Sequence, residues 1–401
     1  MGKKIKLKDI KKKKQKENKI KIINTVIFVV LLSSVIFLSL ISYVKTKNIN
    51  ILKEYKFLEK YIVNLFEKDE DKIYLELNFD LSQKPKISVY NGNIAQCSKD
   101  VLKIYNRYGK LQNSFNVNLT STPILSSEGR YLVVSSIDGN RFLLFDGVNK
   151  KWERKLEGNI INISVNKNGF VTVVHKAEDI LSKVVVYNSK GEEYFVKGKA
   201  QNYIVSAKMA KDDRQLILNC MDASGVRLNS IFEFIDVKGK SVQTVSSYED
   251  KIFMDGKFIK DNNFVTLTDK EIMYYNSNHN ILWEKSLNRK VYCFDVCDDR
   301  YIVLGMASDK IQDGLFSDKT ELKIFNTKGN EVKTLKIDNI IKGISVYGDV
   351  IALNLGKEIA LYTCKGKHIK SLTSKLEVEK AELVNKSTVV LLTKNGLIVK
   401  N

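Results

Sequence analysis

Histidine is the residue type in this chain best suited to bind a metal ion or transfer a proton near neutral pH. The chain contains three, His175, His279 and His368. No two have the spacing of a metal-binding pair, and no HExxH sequence occurs. We expect His279 and His368 in exposed turns between strands, because turn residues surround both. The histidines therefore predict no metal site.

The five cysteines could serve redox chemistry or form disulfide bonds. Cys97 and Cys220 fall in predicted inner strands, where a thiol behaves as a small hydrophobic group. Cys293 and Cys297 share one face of a predicted strand, about 13 Å apart, which is beyond the reach of a disulfide. An odd count leaves at least one thiol free. We expect all five, Cys364 included, to be unpaired, as in a poorly oxidising habitat.

Catalytic motifs are absent from the sequence. It contains no nucleophile elbow, no phosphate-binding glycine loop and no Asp-rich calcium repeat. Ser136-Ile137-Asp138-Gly139 is a partial match to an Asp box, but it lacks the spaced Gly and Trp and is interpreted as an ordinary turn. Trp152 and Trp283 are interpreted as packing residues, with a ligand platform as the alternative. We therefore predict that the chain is not an enzyme and binds no cofactor.

One predicted loop has the composition of a contact surface. The three longest predicted loops between strands B and C of a repeat are Ala307–Lys319, Met221–Asn229 and Lys176–Ser182. Ala307–Lys319 is the longest of them. Long loops on a rigid scaffold often bind partners, and this one places an apolar pair among acidic residues. The alternative is a solvated insertion without a function. The candidate partner-binding residues are Asp309, Asp313, Leu315, Phe316 and Asp318.

A repeat along the chain predicts the elements that must hold these loops. Each copy has an aliphatic run that ends in an aromatic or aliphatic residue, then a polar residue, a Lys/Asn/Gly turn and a second alternating run. The copies lie about 37 to 50 residues apart, the period of a four-stranded propeller blade. The copies begin at Val101–Tyr105, Phe142–Phe145, Val184–Tyr187, Ile231–Ile235, Ile272–Tyr275, Leu322–Phe325 and Ile359–Tyr362, with a shortened copy at Leu397–Val399.

The third copy shows how one blade divides into strands A to D. We predict strands at Ile160–Val165, Phe170–His175, Lys183–Tyr187 and Glu193–Val196, joined by turns whose glycines supply positive φ. A further sign of repetition is that Ile87-Ser88-Val89-Tyr90 recurs as Ile344-Ser345-Val346-Tyr347. The two segments stay in register as far as Gly109-Lys110 and Gly366-Lys367.

The two ends of the chain predict how the ring closes. The last copy stops without a strand D, whereas the strand-like segment Lys72–Phe79 precedes the first copy and matches no repeat. We expect this segment to be the outer strand of the last blade, which would leave no open seam. The predicted fold class is all-β, an eight-bladed β-propeller, with seven blades as the alternative.

Two strand C-to-D segments carry a family resemblance. Phe145–Leu156, with Trp152, and Tyr275–Leu287, with Trp283, resemble the outer-strand signature of PQQ-type, quinoprotein-like propellers. Five of the seven complete copies lack the Trp, so the resemblance implies the propeller architecture and not the cofactor. The layout also resembles membrane-anchored propeller proteins of low-GC Gram-positive bacteria, and the repeat is WD-repeat-like.

An uncharged apolar segment, Ile22–Val44, is long enough to cross a bilayer as a helix. Residues 1–21 hold eleven Lys against Asp9 and Glu17. Positive charge favours the cytoplasmic side, so we predict a single-pass membrane protein with a cytoplasmic tail and an extracellular propeller. A cleaved signal peptide is the alternative.

The basic tail itself, including Lys11, Lys12, Lys13 and Lys14, is expected to bind anionic lipid at about 1 kcal/mol per Lys. Nucleic-acid binding is the alternative, but no nucleic-acid-binding fold or interleaved aromatic residue accompanies the run. The predicted organisation is a tail (1–21), a transmembrane helix (22–44), a helical stalk (45–71) and a propeller (72–401). In the stalk, Leu52, Tyr55, Leu58, Ile62 and Leu65 have helical spacing.

Together these features favour a non-catalytic binding or scaffold module. We expect a membrane-anchored propeller that holds a protein or cell-envelope partner on the face formed by the B–C and D–A loops. The alternative is a quinoprotein-like propeller that binds a cofactor or acts as an enzyme. A weaker third option is a signal relay between an outside ligand and the Lys tail.

Overall fold

A computed structural model describes residues 72–79, 85–249, 251–268, 271–287, 289–308 and 319–401. The predicted tail, transmembrane helix and stalk lie outside these residues. Within them, no helix has the length and apolar character needed to cross a membrane. The helical element in this part of the chain is a single 3₁₀ turn, Lys260–Asn262.

Thirty-two strands of the described chain form eight four-stranded antiparallel sheets. In blades 1 to 7 the sheet order follows the chain order, so each blade is a local up-and-down meander. Strand β1 (Ile73–Asn78) comes before the first blade. The strands of blades 1 to 4 are β2 (Lys86–Tyr90), β3 (Asn93–Cys97), β4 (Val101–Asn106), β5 (Leu111–Asn116), β6 (Pro123–Glu128), β7 (Tyr131–Ser136), β8 (Arg141–Asp146), β9 (Asn149–Lys155), β10 (Ile160–Val165), β11 (Val171–His175), β12 (Ser182–Tyr187), β13 (Glu193–Lys199), β14 (Tyr203–Met209), β15 (Gln215–Asp222), β16 (Asn229–Asp236) and β17 (Ser241–Glu249).

The second half of the chain repeats the same plan. The strands of blades 5 to 8 are β18 (Phe253–Phe258), β19 (Phe264–Thr268), β20 (Glu271–Tyr275), β21 (Ile281–Ser286), β22 (Val291–Cys297), β23 (Tyr301–Ala307), β24 (Thr320–Asn326), β25 (Glu331–Ile337), β26 (Gly343–Tyr347), β27 (Val350–Asn354), β28 (Glu358–Thr363), β29 (His368–Thr373), β30 (Val378–Leu383), β31 (Val389–Thr393) and β32 (Gly396–Lys400).

The strands of each blade, lettered A to D in sheet order, differ in burial as their sequences predict. Strand B of blade 3, β11, is buried at every position, and its Val-rich run suits a strand covered on both faces. The outer strand of blade 4, β17, alternates between half-buried and exposed side chains over most of its length. The hydrophobic core therefore lies in the middle strands of the blades.

The core is divided into eight clusters, and each cluster fills the space between two neighbouring blades. One cluster joins Val186 of blade 3 to Leu218 of blade 4, and another joins Ile324 of blade 6 to Leu353 of blade 7. Another joins Ile94 of blade 1 to Val390 of blade 8. Each blade is therefore stabilised by packing against the blades before and after it, as in other repeat folds.

The predicted ring closure is confirmed. β1 pairs antiparallel with β32, with Leu75 opposite Val399 and Asn78 opposite Gly396. It thereby becomes strand D of blade 8, and Leu75 and Leu77 pack against the cluster between blades 8 and 1. The eight-bladed prediction is confirmed and the seven-bladed alternative is wrong. The four predicted strands of blade 3 are also confirmed, although β13 runs on to Lys199.

Candidate functional site

The propeller offers two faces and a central channel. The B–C and D–A connections form one face, which we call the loop face. The A–B and C–D turns form the opposite face, which we call the turn face. The A strands line the channel, since residues of β6, β10, β14, β18 and β22 border one cavity.

Equivalent positions of the eight A strands place one polar side chain per blade around the channel. All eight lie opposite equivalent strand B residues in the sheet register, as Ser88 lies opposite Ala95 and Glu382 opposite Val390. We call this set the channel ring. Its members, from blade 1 to blade 8, are Ser88, Ser126, Ser164, Lys208, Lys257, Asp295, Ser345 and Glu382.

Side chains of the channel ring bond to the next blade. Ser164 Oγ donates to the carbonyl oxygen of Ala207 at 2.9 Å. Ser345 Oγ accepts the amide of Leu383 at 2.9 Å. At the closing junction, Glu382 Oε2 accepts the amide of Val89 at 2.6 Å. Serine and glutamate side chains at this position therefore connect the inner edges of neighbouring blades.

Charged ring members make comparable bonds. Lys208 Nζ donates to the carbonyl oxygen of Gly256 at 2.6 Å, and Lys257 Nζ lies 2.7 Å from Asp295 Oδ1. Asp295 also accepts the amide of Val296 in its own blade at 2.7 Å. In the described part of the chain, no ring side chain connects blade 6 to blade 7.

The channel widens into a cavity of about 410 Å³ between blades 2 and 6. Besides the ring lysines, Glu128, Lys211 and Asp299 reach into it. Lys211 Nζ lies 3.0 Å from Asp299 Oδ1 and so joins blade 4 to blade 6. Burial raises the pKa of the Glu128 carboxyl above its usual value, and Lys211 and Lys208 oppose that shift. The cavity is therefore charged, but most of its charges are paired.

The loop face exposes aliphatic side chains in its connections. Val226 and Leu228 lie in the B–C loop of blade 4, and Val226 is fully exposed. Apolar area on a rigid surface marks a site where a partner can bind. The other exposed aliphatic residues of these connections are Ile137, Ile252, Ile340 and Leu376.

Bulges in the A strands add apolar groups where the channel opens on this face. The A–B pairing shifts register near the start of the A strand in blades 3, 4 and 6. The residues skipped by the ladder are Ile161, Val205 and Tyr292, and all three are exposed. A bulge re-aims a side chain, so these three residues add exposed apolar groups near the start of the A strands, at the loop-face end of the channel.

A second cavity, of about 610 Å³, lies at the B–C loop of blade 3. His175 borders it, and its Nδ1 is 2.7 Å from the carbonyl oxygen of Lys176. Burial lowers the pKa of His175 and so favours the neutral ring. A Cβ on Gly158 would collide with the Lys176 carbonyl, so only glycine fits this approach of two loops. The histidine is held by its own loop, which fits a structural role.

The predicted contact residues Asp309, Asp313, Leu315, Phe316 and Asp318 lie outside the described residues, as do Lys11 to Lys14. Of the other predicted loops, Lys176–Ser182 borders the second cavity, and Met221–Asn229 contains Val226 and Leu228. That loop was among the predicted long loops, but its aliphatic residues were not among the predicted contact residues. The sequence signal for an exposed apolar site here was the pair of aliphatic residues, Val226 and Leu228, in an otherwise polar stretch that contains glycine.

Two expectations about single residues need correction. His279 lies in the C–D turn of blade 5, as predicted, but it is buried. Its ring stacks on Phe234 of blade 4 with centroids 4.4 Å apart, and burial lowers its pKa. The exposed position of His368 is as predicted. A turn at the blade edge is exposed only where the neighbouring blade does not cover it.

The expectation that all cysteines are unpaired is wrong, because Cys297 and Cys364 form a disulfide. Their Cα atoms lie 6.1 Å apart, and the bond joins strand A of blade 6 to the C–D turn of blade 7. The exclusion of a Cys293–Cys297 pair is correct, since Cys293 is free. Burial raises the pKa of the Cys293, Cys97 and Cys220 thiols to about 12, which leaves them unreactive.

The two tryptophans, which were interpreted as packing residues, both contact the next blade. Trp152 Nε1 donates to the carbonyl oxygen of Ser189 in blade 3 at 3.1 Å. Trp283 Nε1 donates to that of Thr327 in blade 6 at 2.9 Å. Each ring lies over the glycine of the turn that it reaches. In the described ranges, no group of three or more His, Cys, Asp or Glu side chains is placed to hold a metal ion.

Solved structures with a similar fold include several propellers. BamB from Moraxella catarrhalis matches with a TM-score of 0.52 and 12% identity over 82% of this chain and 97% of its own. The Dos1 propeller matches with a TM-score of 0.58 and 10% identity over 82% and 95% of the two chains. The C-terminal WD40 domain of Sif2 matches with a TM-score of 0.60 and 12% identity over 82% and 98%. These likenesses show the β-propeller fold.

Sequence comparisons add the family. A search of curated proteins finds no match. A family model with the description "family of unknown function (DUF5711)" matches residues 64–399, which include all of the propeller except the last residue of β32. Because this match covers most of the chain, the protein is a member of the DUF5711 family.

Proposed function

We propose that this protein is a non-catalytic binding module, a membrane-anchored propeller outside the cytoplasm that holds a protein partner on its loop face. The observation that carries the proposal is the placement of exposed aliphatic side chains. Val226, Leu228, Ile252 and Leu376 lie in connections on this face. A β-propeller is compatible with this role because its rigid ring presents many loops side by side.

The location proposed for the propeller is supported by three features. The uncharged segment Ile22–Val44 and the basic residues before it favour an outward orientation. The Cys297–Cys364 disulfide is typical of a protein in an oxidising compartment. In addition, residue 72 bonds to Asn401 at the turn face, so the preceding chain joins the propeller on that face.

The test is a pulldown of the full chain after crosslinking on intact cells. The variant Val226→Asp/Leu228→Asp places charge on the loop face, whereas Val242→Asp/Val245→Asp alters two exposed residues of β17 and is the matched control. We expect the wild type and control to recover one partner and the loop variant to lose it by at least about tenfold. The purified partner should bind the wild type and the control with similar affinity and the loop variant more weakly.

An identical recovery from all three proteins would rule out the loop face around blade 4. Replacing Ala307–Lys319 with a short Gly-Ser turn then tests the sequence-predicted loop separately. A partner that is lost only with this replacement would move the binding site to blade 6. If no partner is recovered by the wild type, the binding-module proposal fails.

A second candidate is a small-ligand site in the channel, the quinoprotein-like alternative. The cavity of about 410 Å³ has a suitable size and charged groups. However, Lys257 pairs with Asp295 and Lys211 with Asp299, so an anionic ligand would have to displace these carboxylates. Incubation with a quinone cofactor, followed by gel filtration, should leave the protein without bound absorbance. Retention of one quinone per chain would favour the alternative.

A further inference from the structure

The outer C–D turns of the turn face carry lysines that make no ion pair with any described residue. They occur in blades 1, 3, 4, 6 and 7, and all of them are exposed. We call them the turn-face lysines. They are Lys110, Lys190, Lys238, Lys240, Lys328, Lys365 and Lys367.

The turns do not need these lysine side chains in order to fold. In blade 1, Asn106 Oδ1 accepts the amides of Tyr108 and Lys110 at 3.0 Å each. In blade 6, Asn326 accepts the amides of Lys328 and Asn330 in the same way. A side chain that bonds to its own backbone is sufficient to fix such a turn. The lysine ammonium groups therefore remain available for an external partner.

The inner A–B turns of the same face differ, since most of their cations are paired. Arg214 Nη2 lies 2.6 Å from Asp236 Oδ2, and Lys386 Nζ lies 2.7 Å from Asp349 Oδ1. Lys211 pairs with Asp299. The other paired cations of these turns are Arg130 with Asp146 and Arg300 with Asp298. Unpaired positive charge is therefore concentrated at the outer edge of this face.

The aromatic residues of the turn face are a second, independent observation. Tyr108 in the C–D turn of blade 1 and Tyr347 beside the A–B turn of blade 7 are both exposed. The Tyr108 ring packs against Tyr74 and against the Arg107 guanidinium, 4.8 Å from the ring centroid. Tyrosine with lysine is the composition of protein surfaces at a membrane–water interface. The loop face also exposes Tyr203 and Tyr292, but most of its exposed apolar side chains are aliphatic.

The point at which the chain enters the propeller also favours a membrane surface as the partner of the turn face. β1 begins at the turn face, because Ile73 pairs with Lys400 at the end of β32. Any anchor in the preceding residues is therefore connected to the propeller on the face that carries the lysines. We propose that the turn face docks onto an anionic lipid surface, with the turn-face lysines over the headgroups and the exposed tyrosines at the interface.

This inference rests on the proposed function in one respect, namely the membrane anchor. The proposed contacts between the turn face and lipid phosphates are ones that lysine can make. An ammonium group is a compact point charge that attracts phosphate without a shaped pocket, and the lysines are distributed over five blades of one face. This arrangement suits an extended charged surface, where each Lys near the headgroups adds to binding.

The experiment measures lysine labelling in full-length protein inserted into lipid nanodiscs. Phosphatidylcholine discs are compared with discs that also contain phosphatidylglycerol, and an amine-reactive reagent is read out by peptide mass spectrometry. We expect labelling of the turn-face lysines to fall by roughly threefold or more in anionic discs and to recover in high salt. Lys99, Lys357, Lys375 and Lys394 are exposed on the loop face and should not change.

Paired variants extend the test. Lys238→Glu/Lys240→Glu/Lys365→Glu/Lys367→Glu should abolish the lipid-dependent protection of Lys110 and Lys328. The matched variant Lys99→Glu/Lys357→Glu/Lys375→Glu/Lys394→Glu has the same net charge and should preserve it. Unchanged labelling in anionic discs, or equal protection on both faces, would overturn the proposal.

Two further outcomes separate the possible sources of failure. Equal protection by a soluble anionic polymer with neutral discs would overturn the lipid assignment in favour of a polymer partner. Failure of the full chain to insert into neutral discs would contradict the membrane anchor. Labelling with anionic vesicles added to the full chain would then still decide whether the turn face binds lipid.

Discussion

Single residues at equivalent positions of the blades carry different interactions on the same backbone. The first residue of the C–D turn is Asn in blades 1, 3, 5 and 6, where its side chain accepts two backbone amides. In blade 4 this residue is Asp236, which accepts the amides of Lys238 and Gly239 and also binds Arg214. The Arg214 guanidinium lowers the pKa of Asp236 to about 2.

Asp236→Asn should retain the turn and lose the ion pair with Arg214. The folded pKa of Asp236 lies below its unfolded value, so its charge stabilises the fold above pH 3.8 and loses this effect as the pH falls towards about 2. We expect the variant to be less stable than the wild type at pH 7 and nearly equal to it near pH 2. Urea unfolding across this pH range measures the difference.

Arg214→Met removes the same pair from the other side. It should reproduce the pH 7 loss and the same decline of that loss in acid. A stability difference that stays constant between pH 7 and pH 2 would show that the ion pair is not its source.

Trp283 makes one hydrogen bond to the next blade, and its substitution measures how much that bond contributes to stability. Trp283→Phe retains the stack on Tyr274, whose ring centroid is 5.4 Å away, and loses the bond to Thr327. We expect a loss of about 1 kcal/mol in the free energy of unfolding. Trp152→Phe should add a similar loss, because the two sites are independent. Leu282→Ala, at an exposed neighbour, should change stability by less than about 0.5 kcal/mol.

At the scale of elements, the A strands combine two tasks. One position supplies the channel ring, whose side chains bond to the next blade. The start of the strand supplies bulge residues, such as Ile161 and Tyr292, for the loop face. Between blades 6 and 7, where no described ring side chain crosses, Cys297 at the end of β22 is joined covalently to Cys364. The disulfide therefore connects the junction that lacks a ring bond.

Reduction of this disulfide should destabilise the propeller. The bond spans 67 residues, and a cross-link over a loop of that size contributes about 2–4 kcal/mol by restricting the unfolded chain. Urea unfolding with and without dithiothreitol should show this loss in the wild type. Cys364→Ser should show the loss without reductant and no further effect of dithiothreitol. A wild type that is insensitive to reductant would contradict the prediction.

At the scale of the whole molecule, closure is noncovalent and depends on β1. The strand pairs with β32 over its length, and Leu75 also packs on Gly109 in the C–D turn of blade 1. Loss of β1 would expose a long edge of blade 8, and such edges promote aggregation. The ring also separates two surfaces, since the exposed aliphatic residues of the connections lie on the loop face and the turn-face lysines lie on the opposite face.

Replacing residues 72–79 in the full chain with a Gly-Ser segment of equal length should open the ring. The change removes the strand pairing and the packing of Leu75 and Leu77, so we expect a loss of at least about 3 kcal/mol and self-association. Urea unfolding and light scattering measure these effects. Glu76→Ser alters an exposed residue of β1 and should be nearly neutral. A monomeric, equally stable Gly-Ser variant would show that β1 is dispensable for closure.

The sequence determined the blade plan because a blade is a local structure. Its strands follow one another within one repeat, and the alternating residues and Gly turns that specify them lie side by side in the chain. The eight blades, the strands of blade 3 and the closing role of Lys72–Phe79 were therefore predictable. The loop Ala307–Lys319, the membrane segment and the basic tail remain predictions.

The tertiary structure decided which residues meet across blades. The partner of Cys297 is 67 residues away, and the Phe234 ring that covers His279 belongs to the preceding blade. The bonds of the channel ring and the exposure of Val226 likewise depend on how neighbouring blades pack and where their loops end. One repeat's sequence contains no signal for these contacts, because they form only when the ring brings separate blades together.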